Sequence, residues 1–562
     1  MKHFLSLLLV LLSFQAFGKK DIRTDNLYYT CKVWGFLKYH HPNISARDVD
    51  WDKELKDMLI KMDKVGSAAK RNRLLKSWTD NLVTLDTLSS QPLQNKYIEI
   101  LPDNDWIQDS ESLGKELSQT LMELADKGNH RNKYCSFNVA GIPVFNEDPS
   151  WKPGNKQDYM LALFRYWNAI EYFFPYKNII SKDWDEILRE EIPVFDKISD
   201  DDTYLENMIR LATRIEDGHS EITGFGKSGI SVNSFYYKHH IFGMKGIPVE
   251  LGMVEGKPTV IGFCNKDGYE QIKLGDRIIS FNNSPVDSII NARKNIIAKS
   301  NNCNDRIFGI DLYLHTDDDS VAVEYLRDGI IQEEILPAVE FKWDSPTHNA
   351  SSIYMRNDTS FYIKPVSEDI YYIDPSNIKN PDKVYDDYTR IRDSKALIID
   401  LRRYPKDLGL VYLICEGNPY KGIKFLAPLQ GTPGSFHSEP TPVQTMDFTN
   451  PEHYKGKIIL LVNNLTQSSG ETAVMLLQTY RNTTVIGTQT AGTNGNVTYL
   501  PLPGYIRARF SSIGVAYPTG ELMQKRGVKI DRTIRPTLEG IRQGKDELLE
   551  YAVMMAKEMP YL

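Results

Sequence analysis

The chain has 562 residues, enough for three or four domains, and a net charge of −7 with acidic and basic residues interspersed. That charge pattern leaves no footprint for nucleic acid or an anionic membrane surface. The five cysteines, at 31, 135, 264, 303 and 415, are widely spaced and odd in number, giving neither a metal-ligand pattern nor a disulfide framework.

Residues 1–18 carry a basic tip (Lys2, His3), an apolar core over 4–14 and a small-residue end, Ala16-Phe17-Gly18. This reads as a cleaved signal peptide, the core being too short to span a bilayer, and it implies an exported protein, periplasmic or secreted. A retained signal anchor is the alternative. No later stretch is long and apolar enough to cross a membrane, so no integral membrane segment is expected after cleavage.

An internal repeat follows. Trp34, Tyr39, Pro42 and Trp51 recur 133 positions later as Trp167, Tyr172, Pro175 and Trp184. Each copy reads as a helix stopped by proline, a short loop, and a second helix capped by aspartate, so residues 19–150 and 151–234 are expected to be helical modules stacking aromatic faces. The second module ends in Asp217-Gly218-His219-Ser220. Taken alone, a histidine just past a glycine-stopped helix is a C-cap.

Residues 235–340 change to short β-type runs separated by glycine and polar turns. From about 341 to the C-terminus, β-type runs alternate with helical patterns, as in an α/β sheet. Within that segment residues 396–402 (Ala-Leu-Ile-Ile-Asp-Leu-Arg) form one apolar run and residues 458–462 another. The second crosses the turn Thr466-Gln467-Ser468-Ser469-Gly470-Glu471 into a helical pattern with Ala473, Val474, Leu477 and Tyr480 on one side. Ser468 thus falls at a strand-to-helix turn, where the first helical N–H groups have no intrahelical partner. An N-cap is the bland reading of the same serine. A further run over 484–487 leads into the loop Thr490-Ala491-Gly492-Thr493-Asn494-Gly495.

Taken together, Thr466 to Glu471, the spacing to the Thr-Ala-Gly loop, and the closing motifs Gly527-Val528-Lys529-Ile530-Asp531 and Gly544-Lys545-Asp546-Glu547-Leu548-Leu549 resemble the tail-specific (C-terminal processing) serine peptidases. The resemblance runs from about His219 to the C-terminus. Thr493 stands where the processing peptidases carry a catalytic lysine, so the resemblance turns to the lysine-free, tricorn-like branch, whose D-x-H-[ST] motif is similar to Asp217-Gly218-His219-Ser220. Residues 269–282 (Tyr-Glu-Gln-Ile-Lys-Leu-Gly-Asp-Arg-Ile-Ile-Ser-Phe-Asn) resemble the PDZ signature. The implied fold is multidomain α+β: helical repeat modules, a PDZ-like β domain at 235–340, and a C-terminal α/β peptidase domain of ClpP/crotonase type at 341–562.

The resemblance implies Ser468 as nucleophile, His219 as general base, and the Ser469 N–H as an oxyanion donor. Ser220 and Glu521 would complete the group, with Gln524 as the alternative to Glu521. Substrate contacts are expected at Gly246, Ile247 and Val249, the carboxylate-binding stretch of the PDZ-like domain, and at Thr490 and Gly492. The family's paired glycines after the I-I-D-L-R strand are replaced by Arg403-Tyr404-Pro405-Lys406, so the second donor is expected from Tyr404, Lys406 or another residue, or to be missing. The reading is an exported serine endopeptidase with a peptide or protein substrate and no cofactor or metal. The rivals are an inactive peptidase scaffold that binds peptide or a small apolar ligand, and an esterase.

Overall fold

A computed structural model describes residues 21–46, 49–82, 95–125, 132–150, 152, 154–225, 231–232, 243, 245–263, 269–302, 314–340 and 362–558. The expected leader at 1–18 lies outside them, as do Cys264 and Cys303. Cys31, Cys135 and Cys415 are free and buried. The chain forms two compact units. The first is Met1–Met208 with Pro428–Phe436 and Tyr499–Arg507; the second is Ile209–Ala427, His437–Thr498 and Ala508–Leu562.

The first unit is built on helices α1 (Ile22–His40), α2 (Trp51–Met62), α3 (Lys156–Phe173) and α4 (Trp184–Phe195). Asp50 caps α2 by accepting from Lys53 N–H, and Asp183, 133 positions on, caps α4 by accepting from Glu186 N–H. Indole N–H groups join each helix pair reciprocally: Trp34 to the Trp51 carbonyl and back, both 3.1 Å, then Trp167 to Trp184 and back, 2.8 and 3.0 Å. Ion pairs cross between copies in the same reciprocal way. Lys32 reaches Asp185 at 2.7 Å, and Arg165, its counterpart, reaches Asp52, the counterpart of Asp185. At Gly35 a Cβ would collide with Asn168, the residue occupying the matching place in α3, so the close approach of α1 and α3 requires glycine there.

In the second unit β1 (Glu221–Phe225) begins two residues after His219. Strands β2 (Val249–Val254), β3 (Lys257–Phe263), β4 (Arg277–Phe281), β5 (Ser320–Arg327) and β6 (Ile330–Pro337) form one antiparallel sheet in the order 6-5-4-3-2, with helix α5 (Val286–Arg293) after β4. Ile247, Val249, Leu251, Val260, Ile272 and Phe281 belong to its core.

A second sheet runs β7 (Ile363–Ser367), β8 (Ile370–Ile373), β9 (Ala396–Asp400), β10 (Lys457–Val462), β11 (Thr483–Gly487) and β13 (Arg532–Thr533). Only the β7–β8 pair is antiparallel. Alternate residues of β9 and β10 enter opposite cores, as continuous apolar strands in a covered parallel sheet must. Leu397, Ile399, Ile458 and Leu460 meet Val474 and Leu477 of α6 (Ser469–Leu477), while Ile398, Ile459 and Leu461 meet Leu548, Ala552 and Met555 of α7 (Glu547–Glu558). The buried Arg402 pairs with Asp400 and with Asp546 just before α7, which anchors the chain leaving β9. β12 (Ile506–Ser511) lies beside β1.

Candidate active site

Ser468 sits beyond the carboxyl end of β10, at the N-cap of α6, the position where open α/β sheets present ligand-facing groups. Its backbone has φ +53° and ψ −114°, a conformation rare for a side-chain-bearing residue. Three neighbours hold that turn. The Ser468 N–H donates to the Thr493 carbonyl at 2.9 Å, with Glu471 Oε2 at 3.3 Å as a second acceptor, and Thr472 N–H donates to the Ser468 carbonyl at 2.8 Å.

Glu471 is fully buried behind the turn. Its Oε1 accepts from Thr490 Oγ1 at 2.6 Å and Gly492 N–H at 2.7 Å, and its Oε2 from Thr493 N–H at 3.1 Å. Burial nevertheless outweighs these hydrogen bonds and pushes its carboxyl up to about 7. Thr490 and Gly492, expected on the substrate, therefore spend their polar groups on Glu471; they fasten the Thr-Ala-Gly loop to the serine turn.

His219 is 8% exposed. Its N–H donates to Asp217 Oδ1 at 3.1 Å, its carbonyl accepts from Arg509 Nε at 2.9 Å, and its ring Nδ1 lies 2.9 Å from Ser511 Oγ. Asp217 Oδ2 accepts the Ser511 N–H at 2.8 Å, so one buried carboxylate positions both the histidine backbone and the serine facing the ring. Burial lowers the His219 pKa, Asp217 opposes that shift, and Arg509 adds to it. With Nδ1 engaged, Nε2 makes no hydrogen bond among the described residues, and the ring is not bonded to Ser468 directly.

The two motifs meet at Thr493. Its carbonyl holds the Ser468 N–H, and its Oγ1 lies 2.6 Å from Ser300 Oγ, which accepts the Gly218 N–H at 2.9 Å. A Cβ on Gly218 would collide with Thr493 Oγ1, so the residue before the histidine packs directly on the residue bonded to the serine. Gln524 joins the cluster through Nε2, 3.0 Å from Ser300 Oγ and 3.4 Å from Asp217 Oδ1.

Other expected residues lie elsewhere. Ser220 Oγ donates to the Ala212 carbonyl at 2.6 Å, closing the preceding helix end, and the hydroxyl at the ring is that of Ser511. Glu521 pairs with Arg526 at 2.5 Å near the surface. Lys406 N–H donates to the Pro375 carbonyl at 3.1 Å and so is not an oxyanion donor. Gly246 lies in a short strand paired with Val339, and the Ile247 and Val249 side chains are buried in the antiparallel core. Asp217, Ser300 and Ser511 were not singled out by the sequence. Asp217 carried a signal, lying in the same motif as His219, whereas Ser300 and Ser511 carried none.

The model of peptidase family S41 matches residues 423–538, the stretch containing β10, Ser468, α6 and the Thr-Ala-Gly loop. That stretch belongs to peptidase family S41. With this stretch the chain is a serine-type peptidase, with a peptide or protein as substrate. No curated protein matches it. Among solved structures, mature CPAF is 11% identical with a TM-score of 0.53, covering 72% of this chain and 99% of that one. Mature CPAF complexed with lactacystin gives 11% identity and a TM-score of 0.51, with 72% and 98% covered. These likenesses concern the fold. The photosystem II D1 C-terminal processing protease is 14% identical with a TM-score of 0.38, covering 69% and 98%.

Proposed function

We propose that this S41 peptidase is an exported endopeptidase of the lysine-free kind, with Ser468 as nucleophile and His219 as its base. The observation carrying the reading is Thr493. The threonine standing in the lysine position bonds the Ser468 backbone through its carbonyl and, through Ser300, the backbone beside His219.

Serine is too weakly acidic to attack an amide unaided and needs a base whose own orientation is fixed. A neutral His219 that donates its Nδ1 proton to Ser511 Oγ keeps Nε2 as the acceptor. Ser511 and Asp217 thus take the orienting place expected of Ser220 and Glu521. Ser468 Oγ bonds to the substrate carbonyl carbon, its proton passes to Nε2, and the carbonyl π pair moves to oxygen. Collapse breaks the C–N bond, His219 returns the proton to the leaving amine, and an acyl-Ser468 ester remains. Water then adds to the ester with His219 again taking the proton, and the acid product leaves. The Ser469 N–H, first in α6 and without an acceptor among the described residues, supports the oxyanion.

The antiparallel sheet of residues 249–337 supports a PDZ-like role. β2 is its terminal strand, and a substrate end can add to such an edge through backbone hydrogen bonds. The leader pattern at 1–18 supports export, which N-terminal sequencing of the secreted or periplasmic protein checks. For the catalytic assignment the test is a fluorophosphonate. It should label Ser468 in the wild type, fail on Ser468→Ala, and react far more slowly with His219→Ala; labelling that survives Ser468→Ala removes the nucleophile.

A further inference from the structure

We propose that the Tyr404 side chain is the second oxyanion donor of this peptidase, its phenol O–H taking the place of a backbone N–H. The proposal rests on the assignment of Ser468 as nucleophile.

The segment after β9 has few backbone donors left to give. Leu401 N–H is bonded to the Leu461 carbonyl at 2.9 Å, Arg402 N–H to Asp400 Oδ1 at 3.0 Å, and Lys406 N–H to the Pro375 carbonyl at 3.1 Å. Pro405 has no N–H. Yet the segment runs close over the start of α6. A Cβ on Gly470 would be 3.7 Å from both the Leu401 carbonyl oxygen and Pro405 Cδ. From there the Tyr404 side chain extends back to the nucleophile turn, where its hydroxyl lies 2.9 Å from Ser469 Oγ, one residue past Ser468. Tyr404 is 58% exposed, so burial does not explain its position.

An oxyanion site needs a second donor beside the N–H that follows the nucleophile, aimed at the oxygen that gains charge. The phenol fits that need: it has one O–H donor, and it is tethered through Ser469 to the residue that provides the first. As the Ser468 Oγ–carbon bond forms and the carbonyl π pair moves to oxygen, Tyr404 O–H donates a hydrogen bond and keeps its proton.

The test is the rate of Ser468 phosphonylation by a fluorophosphonate, in which an O–P bond forms, P–F breaks, fluoride leaves and the serine proton goes to His219. Tyr404→Phe keeps its backbone N–H and loses only the hydroxyl. Its limiting rate should fall by about 100-fold, the scale of losing one oxyanion donor, with the half-saturating concentration unchanged within about twofold. Ser469→Ala, which removes the tether but leaves both proposed donors, should lose less. A Tyr404→Phe enzyme that reacts like the wild type overturns the proposal while leaving Ser468 in place. Equal losses in the two variants overturn it as well, since the phenol would then act only through Ser469. A wild type that is never labelled at Ser468 overturns the underlying assignment instead.

Discussion

At the scale of single residues, the site depends on two buried titratable groups moved in opposite directions relative to solvent. Burial lowers the His219 pKa, so the neutral ring persists below the ordinary imidazole value of about 6.5. The acid limb of kcat/KM should therefore lie below pH 6.5. Because Asp217 raises that pKa, Asp217→Asn should move the limb further down as well as slow turnover; a limb at or above 6.5 in the wild type would remove His219 as the base. A depressed histidine contributes stability that is present above its unfolded value and lost as pH falls toward the folded one.

Glu471 has the reverse sign, since burial pushes it up to about 7. Its contribution is full below the unfolded carboxyl value and is lost as pH rises through about 7. Glu471→Gln should lower stability at pH 5 by roughly 1–3 kcal/mol for each N–H left facing the new amide N–H2, and should flatten the dependence on pH. Melting temperatures at pH 5 and pH 8 test both statements.

Among elements, the ends of the parallel strands are where the backbone is tightly constrained. Gly487 ends β11 with φ +134°, and a Cβ there would overlap the Val462 carbonyl at the end of β10. Neither backbone can yield without breaking the parallel ladder, so Gly487→Ala should cost on the order of 3 kcal/mol and markedly reduce soluble yield, read by thermal melting. The run pattern of residues 458–462 and 484–487 was enough to place both strands. It could not show that the intervening glutamate, three positions after Ser468, would gather Thr490, Gly492 and Thr493. Those contacts depend on the close packing of two loops whose sequences carry no pairing signal.

For the whole molecule, the two units rest on different physics. The first is a duplicated helical pair closed by crossed ion pairs; the second is two sheets with apolar cores. Arg165 is buried, which lowers its pKa, but the Asp52 and Glu147 carboxylates beside it outweigh that and raise it, so Arg165→Met should leave those carboxylates to Lys38 and cost about 3–5 kcal/mol. Seven of the eight tryptophans precede residue 209, so the fluorescence transition in urea reads this unit; an unchanged midpoint would mean that the buried pair adds no stability. The stretches 428–436 and 499–507 belong to this unit through bonds such as Gly434 N–H to the Tyr172 carbonyl, 3.0 Å, and Tyr505 N–H to the Pro149 carbonyl, 3.2 Å. No periodicity in the sequence assigns them there.

By itself the sequence determined what is local or repeated: the aspartate caps, the 133-residue spacing of the tryptophans, the apolar parallel strands, and the serine turn within the stretch that matches family S41. Tertiary structure alone decided which side chains share the site. The ring of His219 faces Ser511, 292 positions away, while its neighbour Ser220 turns to the Ala212 carbonyl. Adjacent residues need not point the same way, and β1 lying beside β12 brings a distant hydroxyl closer to the imidazole than the one next to it in the chain.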